Sequence, residues 1–298
     1  MMWVAMWRGQ GRLWWFCLLL QLTLIAKADV VRFPGGADPT DKRWEYPIAV
    51  LQLALNKTSP IPGADQIVRG EARIQRRRIL ETESGQLDVG LAIPSPDLLA
   101  SKAIFIPFPI QKGLQGWRLI LANNEVQGQL DRASTLHDLK TLRMGYNPGW
   151  GDWPVMLRAG LPVVEMREYS TMFNALSIGR FDWIPRGLSE VYGELNRARQ
   201  QGVRNISVNT RLALFFPSDF FFIVTPSKPE LAKRIEHGLK LARESGEFDK
   251  LFEQHFGEII NQSELDKRTL ILIDNPYLPN SVPTSDNKLW MLPQHTAP

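Results

Sequence analysis

The stretch of sequence with the clearest capacity to bind a molecule is TLRMGYNPGWGDWPVML, Thr141–Leu157. Its alternating apolar residues predict a short strand, and the turn residues that follow predict a loop carrying Trp150 and Gly151. A helix is expected from Asp152, which can cap the first amide groups, and Pro154 suits its first turn. The indole offers a flat surface, the glycine permits close backbone approach, and helix N-termini favour anions. The pattern therefore predicts a ligand-binding turn, with an ordinary strand-to-helix turn as the alternative.

Two arginines and a glutamate are candidate charged contacts. Arg118 lies in the apolar stretch Gln115–Ala122, and Arg186 directly follows the predicted strand Phe181–Pro185. A guanidinium can hold a carboxylate through two parallel hydrogen bonds, and ligands of α/β sheets bind beyond the carboxyl ends of strands. Both arginines are therefore candidates to contact an anion, with a salt bridge between domains or an exposed strand face as the alternative for Arg118. Glu190, one turn after Arg186, can either pair with it or accept a hydrogen bond from the ligand.

Three further residues are weaker candidates for the same site. Ser95 follows the predicted strand Leu87–Ile93 and so lies at a strand end, and Trp44 can stack on a planar ligand. Asp152 is a candidate contact too, although capping a helix is the more typical role for an aspartate in that position. The basic run of Arg73 and the arginines at positions 76–78 is expected to form a solvated face.

No motif for catalysis or metal binding is visible in the sequence. It contains no HExxH, no GxSxG and no phosphate loop ending in GK[ST], and its four histidines are far apart. The single cysteine, Cys17, lies in the N-terminal apolar run, so the rest of the chain has no disulfide, thiol nucleophile or cysteine metal ligand. We therefore expect no cofactor and no metal, and we do not expect an enzyme.

The first 28 residues are predicted to be a secretory signal peptide. Arg8 and Arg12 precede the apolar run Leu13–Leu20, and small residues stand at the expected positions before cleavage after Ala28. An uncleaved membrane anchor is the alternative, but the apolar run is shorter than the ~20 residues that span a bilayer. The prediction places the mature protein in the periplasm.

Composition and charge do not indicate a nucleic-acid-binding protein. The chain of 298 residues has 44% hydrophobic and 22% charged residues, which is typical of a globular protein. Its formal net charge is +4, but the predicted signal peptide contains three basic residues and no acidic one. The mature chain is therefore almost neutral, and no nucleic-acid partner is expected.

The predicted elements repeat the order strand, helix, strand, helix, strand in two halves. Each half contains a similar phrase, ETESGQLDVGLAIP at Glu81–Pro94 and ALSIGRFDWIPRG at Ala175–Gly187. In both, a helix end is followed by glycine, a polar residue, an apolar residue, aspartate and a strand. Alternating strands and helices predict sheets with helices on both faces.

This order resembles the type 2 periplasmic solute-binding proteins, a bacterial extracellular family that includes the amino-acid receptors of ABC transporters. The resemblance covers roughly Val30–Phe256 and rests on SGQLDVGLAIP, on IGRFDWIPRG, on STLHDLK before RMGYNPGWGDW, and on GEFDKLFEQHFG. It implies an α/β fold of two lobes, each a parallel or mixed sheet flanked by helices, joined by two crossing strands. The expected division is signal peptide 1–28, first lobe 29–120, second lobe 121–220, return to the first lobe 221–273 and an irregular tail 274–298.

The sequence departs from the family at two positions that hold amino acids. These receptors usually carry an arginine shortly after the strand that matches Leu87–Ile93, where this chain reads PDLLA at Pro96–Ala100. They also usually carry an aspartate for the ammonium group after the strand that matches Phe181–Pro185, where this chain has Arg186. Because a cation there repels an ammonium group, we expect an anionic or aromatic solute instead of an ordinary α-amino acid.

The resemblance implies a monomeric receptor that closes two lobes around a small solute, either for an inner-membrane ABC permease or for sensing. One alternative is an enzyme on the same scaffold, a lyase similar to cyclohexadienyl dehydratase, in which carboxylate and arginine side chains perform acid–base elimination. Another is an interaction module that binds no ligand because its own side chains fill the pocket.

Overall fold

The computed structural model describes residues 29–35, 42–71 and 73–293. The predicted signal peptide and Cys17 lie outside these residues. Within the described part of the chain, no helix is both long and apolar enough to cross a membrane.

The strands are β1 Val30–Phe33, β2 Gln66–Arg69, β3 Val89–Ala92, β4 Ile104–Phe105, β5 Trp117–Asn123, β6 Met144–Tyr146, β7 Val163–Glu165, β8 Trp183–Gly187, β9 Ile206–Phe215, β10 Phe221–Val224 and β11 Thr269–Leu272. The helices are α1 Glu45–Thr58, α2 Gln75–Glu83, α3 Pro96–Leu99, α4 Gln127–Leu130, α5 Trp153–Arg158, α6 Tyr169–Ser177, α7 Val191–Gln200, α8 Pro229–Glu244 and α9 Glu247–Ser263.

The first lobe is built on strands β1–β4 and β10. Strands β1 and β2 pair in parallel, and β10 lies antiparallel between β3 and β4. A hydrogen bond of 2.9 Å from Asp88 N to Arg32 O joins β1 to the start of β3, which gives the order β2-β1-β3-β10-β4. Helix α8 packs on α1 through a stripe of buried apolar residues, Leu231, Ile235, Leu239 and Ala242. This stripe is the apolar face that the sequence periodicity indicates.

The second lobe is built on a six-stranded mixed sheet in the order β11-β9-β5-β8-β6-β7. Strand β6 runs parallel to β7 and β8, whereas β5 is antiparallel to both β8 and β9. All seven residues of β5 are buried, as expected for an apolar strand in the middle of a sheet. The prediction of an α/β fold of two lobes, with mixed sheets flanked by helices, is confirmed.

The repeated phrases of the sequence form the same clamp in both lobes. In the first, Arg32 donates from its backbone and side chain to Asp88 and from its guanidinium to Gly85 O. In the second, Arg143 makes the same bonds to Asp182 and to the carbonyl of Gly179. Both glycines have a positive φ, +76° and +72°, which glycine adopts without strain. Each clamp fixes the turn between a helix and the strand whose end reaches the cleft.

Two segments carry the chain between the lobes, one before β5 and one before β10, and they meet at a buried carboxylate. Asp219 accepts hydrogen bonds from the backbone amides of Gln111, Gly113 and Phe220. Burial raises the pKa of Asp219 to about 8, although these amide donors oppose the shift. The segments also touch at Gly116, where an added Cβ would lie 2.1 Å from the carbonyl oxygen of Phe216. These two segments, residues 106–116 and residues 216–220, are together called the hinge.

Some elements differ from the sequence expectation. Strand β9 is one continuous strand, whereas two extended pieces were predicted, and β2 and β11 were not predicted. Strand β11, within the segment assigned to the return into the first lobe, pairs in parallel with β9 of the second lobe. In the expected irregular tail, residues 274–293 contain no helix or strand. The chain therefore passes the hinge again through β11 and the residues that follow it.

We predict that Asp88→Asn lowers the free energy of unfolding by about 1–2 kcal/mol at pH 7, after allowance for the solvent around Arg32. Burial raises the pKa of Asp88, but hydrogen bonds from Arg32 and Lys228 outweigh it and lower the pKa to about 2. The ionised carboxylate therefore stabilises the fold above the unfolded-state pKa of ~3.9, and this stabilisation is lost as the pH falls towards 2. Urea denaturation at pH 7 and pH 3 measures the effect.

The matched control is Asp182→Asn in the equivalent clamp, whose aspartate side chain is 16% exposed against 1% for Asp88. We expect a smaller loss from it at pH 7. An Asp88→Asn deficit of equal size at both pH values would contradict the assigned role of this carboxylate.

Candidate functional site

Arg186, at the end of β8, binds two carboxylates of its own lobe. Its Nε and Nη2 donate to the two oxygens of Glu194, at 2.6 and 2.5 Å, and Nη2 also donates to Glu190 Oε2 at 2.9 Å. The hydroxyl of Tyr169 donates to Glu194 at 2.6 Å. Burial lowers the pKa of Arg186, but the charges of Glu194 and Glu190 outweigh it, and the pKa lies well above its usual value. The pairing with Glu190 is one of the two roles that its one-turn spacing allowed.

Trp150 provides the flat surface against which this arginine lies. The Arg186 guanidinium is 4.4 Å from the centre of the indole, a cation–π contact, and 6.0 Å from the ring of Tyr169. The edge of the indole packs against Tyr146, with 4.7 Å between ring centres. Trp150 therefore holds a side chain of the protein where the sequence predicted that it would hold a solute.

Arg118 of β5 forms the second buried ion pair of this lobe. Its Nη2 donates to Asp152 Oδ2 at 2.7 Å, and both side chains are almost fully buried, with exposed fractions of 4% and 6%. The expectation that Asp152 caps α5 is wrong: it occupies the N-cap position, but its side chain makes no capping hydrogen bond. The reason is that the first turn offers the side chain no free amide: position 154 is a proline, and Trp153 N and Val155 N donate to the carbonyl oxygens of Trp150 and Asp152. The carboxylate binds the buried guanidinium of Arg118 instead.

The two ion pairs form one cluster at the cleft side of the second lobe. Gly187 lies between them, and a Cβ added there would be 3.1 Å from Glu190 Oε2 and 3.5 Å from Arg118 Nη1. The cluster contains two guanidinium groups and three carboxylates, so it carries one excess negative charge. Glu190 has the most exposed side chain of the cluster, at 30%. The excess charge is therefore accessible mainly at Glu190.

The two lobes touch where Gly151 meets Gln75 of helix α2. The Gln75 amide is fixed by hydrogen bonds from Ile93 N to Oε1 and from Nε2 to Ile93 O and Ser95 Oγ. A Cβ added to Gly151 would lie 2.6 Å from Gln75 Nε2. Ser95, which also caps α3 through Leu98 N, is thus connected to the loop of the second lobe through one glutamine side chain. Glycine at position 151 is what allows this approach.

Arg78 and Trp44 form a second group of contacting side chains in the first lobe. Arg78 Nε and Nη1 donate to the carbonyl oxygens of Leu91 and Arg73, and the guanidinium lies 5.6 Å from the centre of the Trp44 indole. No carboxylate of the described residues forms an ion pair with Arg78. Burial lowers its pKa to about 10, and repulsion from Arg43 adds to the shift. Arg78 is protonated at neutral pH, and its charge is not compensated by the described residues.

The expectation of a solvated face for positions 76–78 is therefore wrong for the third arginine, because α2 turns Arg78 under Trp44 while Arg76 and Arg77 stay exposed. Trp44 is itself buried against Phe33, and its indole N–H finds no hydrogen-bond acceptor among the described residues. The guanidinium of Arg78 lies over this indole ring, and the indole N–H is the donor of the pair that lacks an acceptor among the described residues. A buried donor without an acceptor costs free energy that a bound acceptor would recover.

The structure brings most of the predicted site residues together. In the second lobe, Trp150, Gly151, Asp152, Arg118, Arg186 and Glu190 are contiguous, and Ser95 reaches them through Gln75. Trp44 contacts Arg78 instead. Sequence reasoning missed Glu194, Gln75 and Arg78. For Glu194 a signal existed, because positions 190 and 194 lie on the same face of a helix one turn apart.

Comparison with known proteins places this geometry in a known fold. No protein-family model and no curated protein matches the chain. Solved structures do: an ancestral arginine-binding protein bound to arginine has 19% identity and a TM-score of 0.55, covering 76% of this chain and 98% of its own. The substrate-binding protein of an amino-acid ABC transporter has 14% identity and a TM-score of 0.53, covering 76% and 99%. An ancestral amino-acid-binding precursor of cyclohexadienyl dehydratase has 17% identity and a TM-score of 0.53, covering 76% and 95%.

These identities are low, whereas each match covers most of both chains. Likeness at this level establishes a fold and not an activity. The resemblance seen in the sequence motifs is thus confirmed at the level of architecture: the chain adopts the two-lobed fold of the periplasmic amino-acid-binding and ABC-transporter substrate-binding proteins.

Proposed function

We propose that this protein is an exported periplasmic receptor that closes its two lobes around a small solute carrying an anionic group. The observation that carries the proposal is Arg78, a half-buried guanidinium beside the indole N–H of Trp44, for which the described residues offer no carboxylate. A carboxylate of the solute can accept from both groups. Stacking of an aromatic solute on Trp44 is not part of the proposal, because this indole is buried and the Arg78 guanidinium lies over its ring.

The second lobe supports a complementary contact. Because its cluster carries one excess negative charge, exposed mainly at Glu190, it suits a hydrogen-bond donor or a positive group on the solute. Arg186 and Arg118 are already paired with carboxylates of their own lobe. We therefore assign the anion to Arg78 of the first lobe, in place of the expected contact with Arg186. The argument that Arg186 repels an ammonium group does not hold either, because Glu190 and Glu194 compensate its charge.

The two alternatives have weaker support. For a lyase, the cluster would need a carboxylate poised as a base. Burial raises the pKa of Glu194, but the charge of Arg186 and the hydrogen bonds from Arg186 and Tyr169 together outweigh burial and lower it. For an interaction module, the internal pairing of Arg186 and Arg118 would be enough, but that reading leaves Arg78 without a role. The solute of the proposed receptor is delivered to an ABC permease or read by a sensor.

We expect native mass spectrometry of the protein isolated from the periplasm of a Gram-negative host to detect a retained small acid. Arg78→Gln should weaken its binding at least tenfold, because a charge-assisted hydrogen bond contributes about 1.5–3 kcal/mol. The control is Arg77→Gln, one position away on α2, whose guanidinium pairs with Glu81 on the surface. Isothermal titration with the identified acid measures both variants.

A retained acid that binds Arg78→Gln as tightly as the wild type would refute the assignment of Arg78. A protein that retains no solute and binds none of a panel of carboxylates would refute the receptor function itself.

A further inference from the structure

Residues 273–293, here called the hinge strap, follow one of the two hinge segments after leaving β11. Ile273 N donates to Phe215 O at 2.8 Å, and Asn275 Nδ2 donates to Pro217 O at 2.7 Å. Both acceptors belong to the stretch in which β9 ends and the chain returns to the first lobe. The strap therefore begins by binding the second crossing of the hinge.

The far end of the strap binds the first crossing. Met291 N donates to Lys112 O at 2.7 Å, and the indole of Trp117 donates back to Met291 O at 2.8 Å. The Trp290 ring lies on Gly113, where an added Cβ would be 2.5 Å from ring atom Cε3. Trp290 is 3% exposed, so this contact is buried at the centre of the hinge.

A third attachment joins the strap to the body of the first lobe. Asp286 pairs with Arg243 near the end of α8 at 2.6 Å, and Leu289 and Val282 are buried in the same apolar core as α8. The strap thus connects an edge strand of the second lobe, both hinge segments and a helix of the first lobe. Opening by a hinge motion changes the backbone angles of the crossing segments, which the strap holds relative to each other.

We propose that the hinge strap restrains opening and shifts the lobes towards the arrangement seen here, in which Gly151 touches Gln75. The apparent affinity of a receptor is reduced when its closed form is rarely populated in the absence of solute. By increasing the population of the closed form, the strap raises the affinity for whatever solute the cleft accepts. The restraint acts on the free protein and does not depend on the proposed solute.

The test measures the distance between the lobes without any solute. Spin labels are attached to Lys233→Cys on α8 and Arg158→Cys on α5, both exposed, in a Cys17→Ser background. Trp290→Ala should lengthen the mean distance by more than about 2 Å or broaden its distribution towards longer values. Lys288→Ala, an exposed residue of the same strap, is the control and should leave the distribution unchanged.

A second pair of variants covers the case in which Trp290→Ala does not fold. Asp286→Arg and Arg243→Asp should each shift the distribution towards longer distances, and the double variant, which restores an ion pair, should return it towards the wild type. An unchanged distribution in folded Trp290→Ala, or in both charge reversals, would overturn the proposal and leave the strap a purely stabilising segment.

Discussion

Replacing Arg186 with alanine is expected to lower the free energy of unfolding by about 3–5 kcal/mol. The variant leaves Glu194 almost fully buried, with an exposed side-chain fraction of 3%, and without its cation. It also removes the group that lies on Trp150. Removing one partner of a buried ion pair is more costly than never forming the pair, because the remaining charge is kept away from water. Urea denaturation gives the loss directly.

The pH dependence of this variant separates a charge effect from a packing effect. Burial is the largest influence on the pKa of Glu194, and Arg186 supplies two of the influences that oppose it. In Arg186→Ala we therefore expect burial to raise this pKa above the unfolded value. When a buried carboxyl group has a raised pKa, the protein is most stable at low pH, where this group is protonated. The free energy of unfolding then falls as the pH rises from the unfolded pKa to the folded pKa. The deficit of Arg186→Ala should therefore be smaller at pH 5 than at pH 8.

Arg199→Ala is the matched control, since Arg199 is an exposed arginine of helix α7, which also carries Glu194. We expect a change within about 0.5 kcal/mol for it. If Arg186→Ala instead unfolds like the wild type and loses only its solute, then Arg186 contacts the ligand as the sequence pattern first suggested, and the internal pairing is weak.

The fold could be predicted because its information is local and repeated. Each of the two repeated sequence motifs, with Gly85 and Asp88 in one and Gly179 and Asp182 in the other, spans only a few residues. Each predicts the end of a helix, a glycine with positive φ and the start of a strand. The amphipathic period of the α8 sequence predicts a helix that packs one face on an apolar core. Strands β2 and β11 escaped prediction because short strands at the edge of a sheet depend on their neighbours for hydrogen bonds and have little period of their own.

The site could be predicted only in part, because its charges are set by contacts between distant residues. Arg118 and Asp152 are 34 positions apart, and nothing in the local sequence says that this aspartate turns away from its helix. Three consecutive arginines point in different directions around α2, and only the packing of Trp44 selects Arg78 for the interior. The sequence could thus place the site residues near the cleft without assigning their partners.

Substituting Gly151 is expected to have the largest effect on solute affinity among the changes that leave every charged group in place. An alanine Cβ would lie 2.6 Å from Gln75 Nε2, and this amide cannot turn aside without losing its bonds to Ile93 and Ser95. The backbone at Gly151 is not left-handed, so the substitution is not strained in an open protein. Overpacking costs about 1–3 kcal/mol, and here it destabilises only the closed arrangement, in which Gly151 contacts Gln75.

We therefore expect Gly151→Ala to weaken binding about tenfold and Gly151→Val about a hundredfold, with little change in the free energy of unfolding. Gly128→Ala, in α4 of the same lobe, is the control, because only Arg132 Nη1 comes near its added Cβ, at 3.8 Å. Titration with the solute and the distance between labels on the two lobes should change together, since both report closure.

The cause can be isolated with a double variant. If the Gly151–Gln75 contact limits closure, then adding Gln75→Ala to Gly151→Ala should recover part of the lost affinity, although Gln75→Ala alone removes the hydrogen bonds to Ile93. Such a positive coupling between one residue of each lobe is the expected result of a steric contact across a closing cleft. Additive losses would mean that the two residues act separately, and that the lobes close around the solute without the contact seen here.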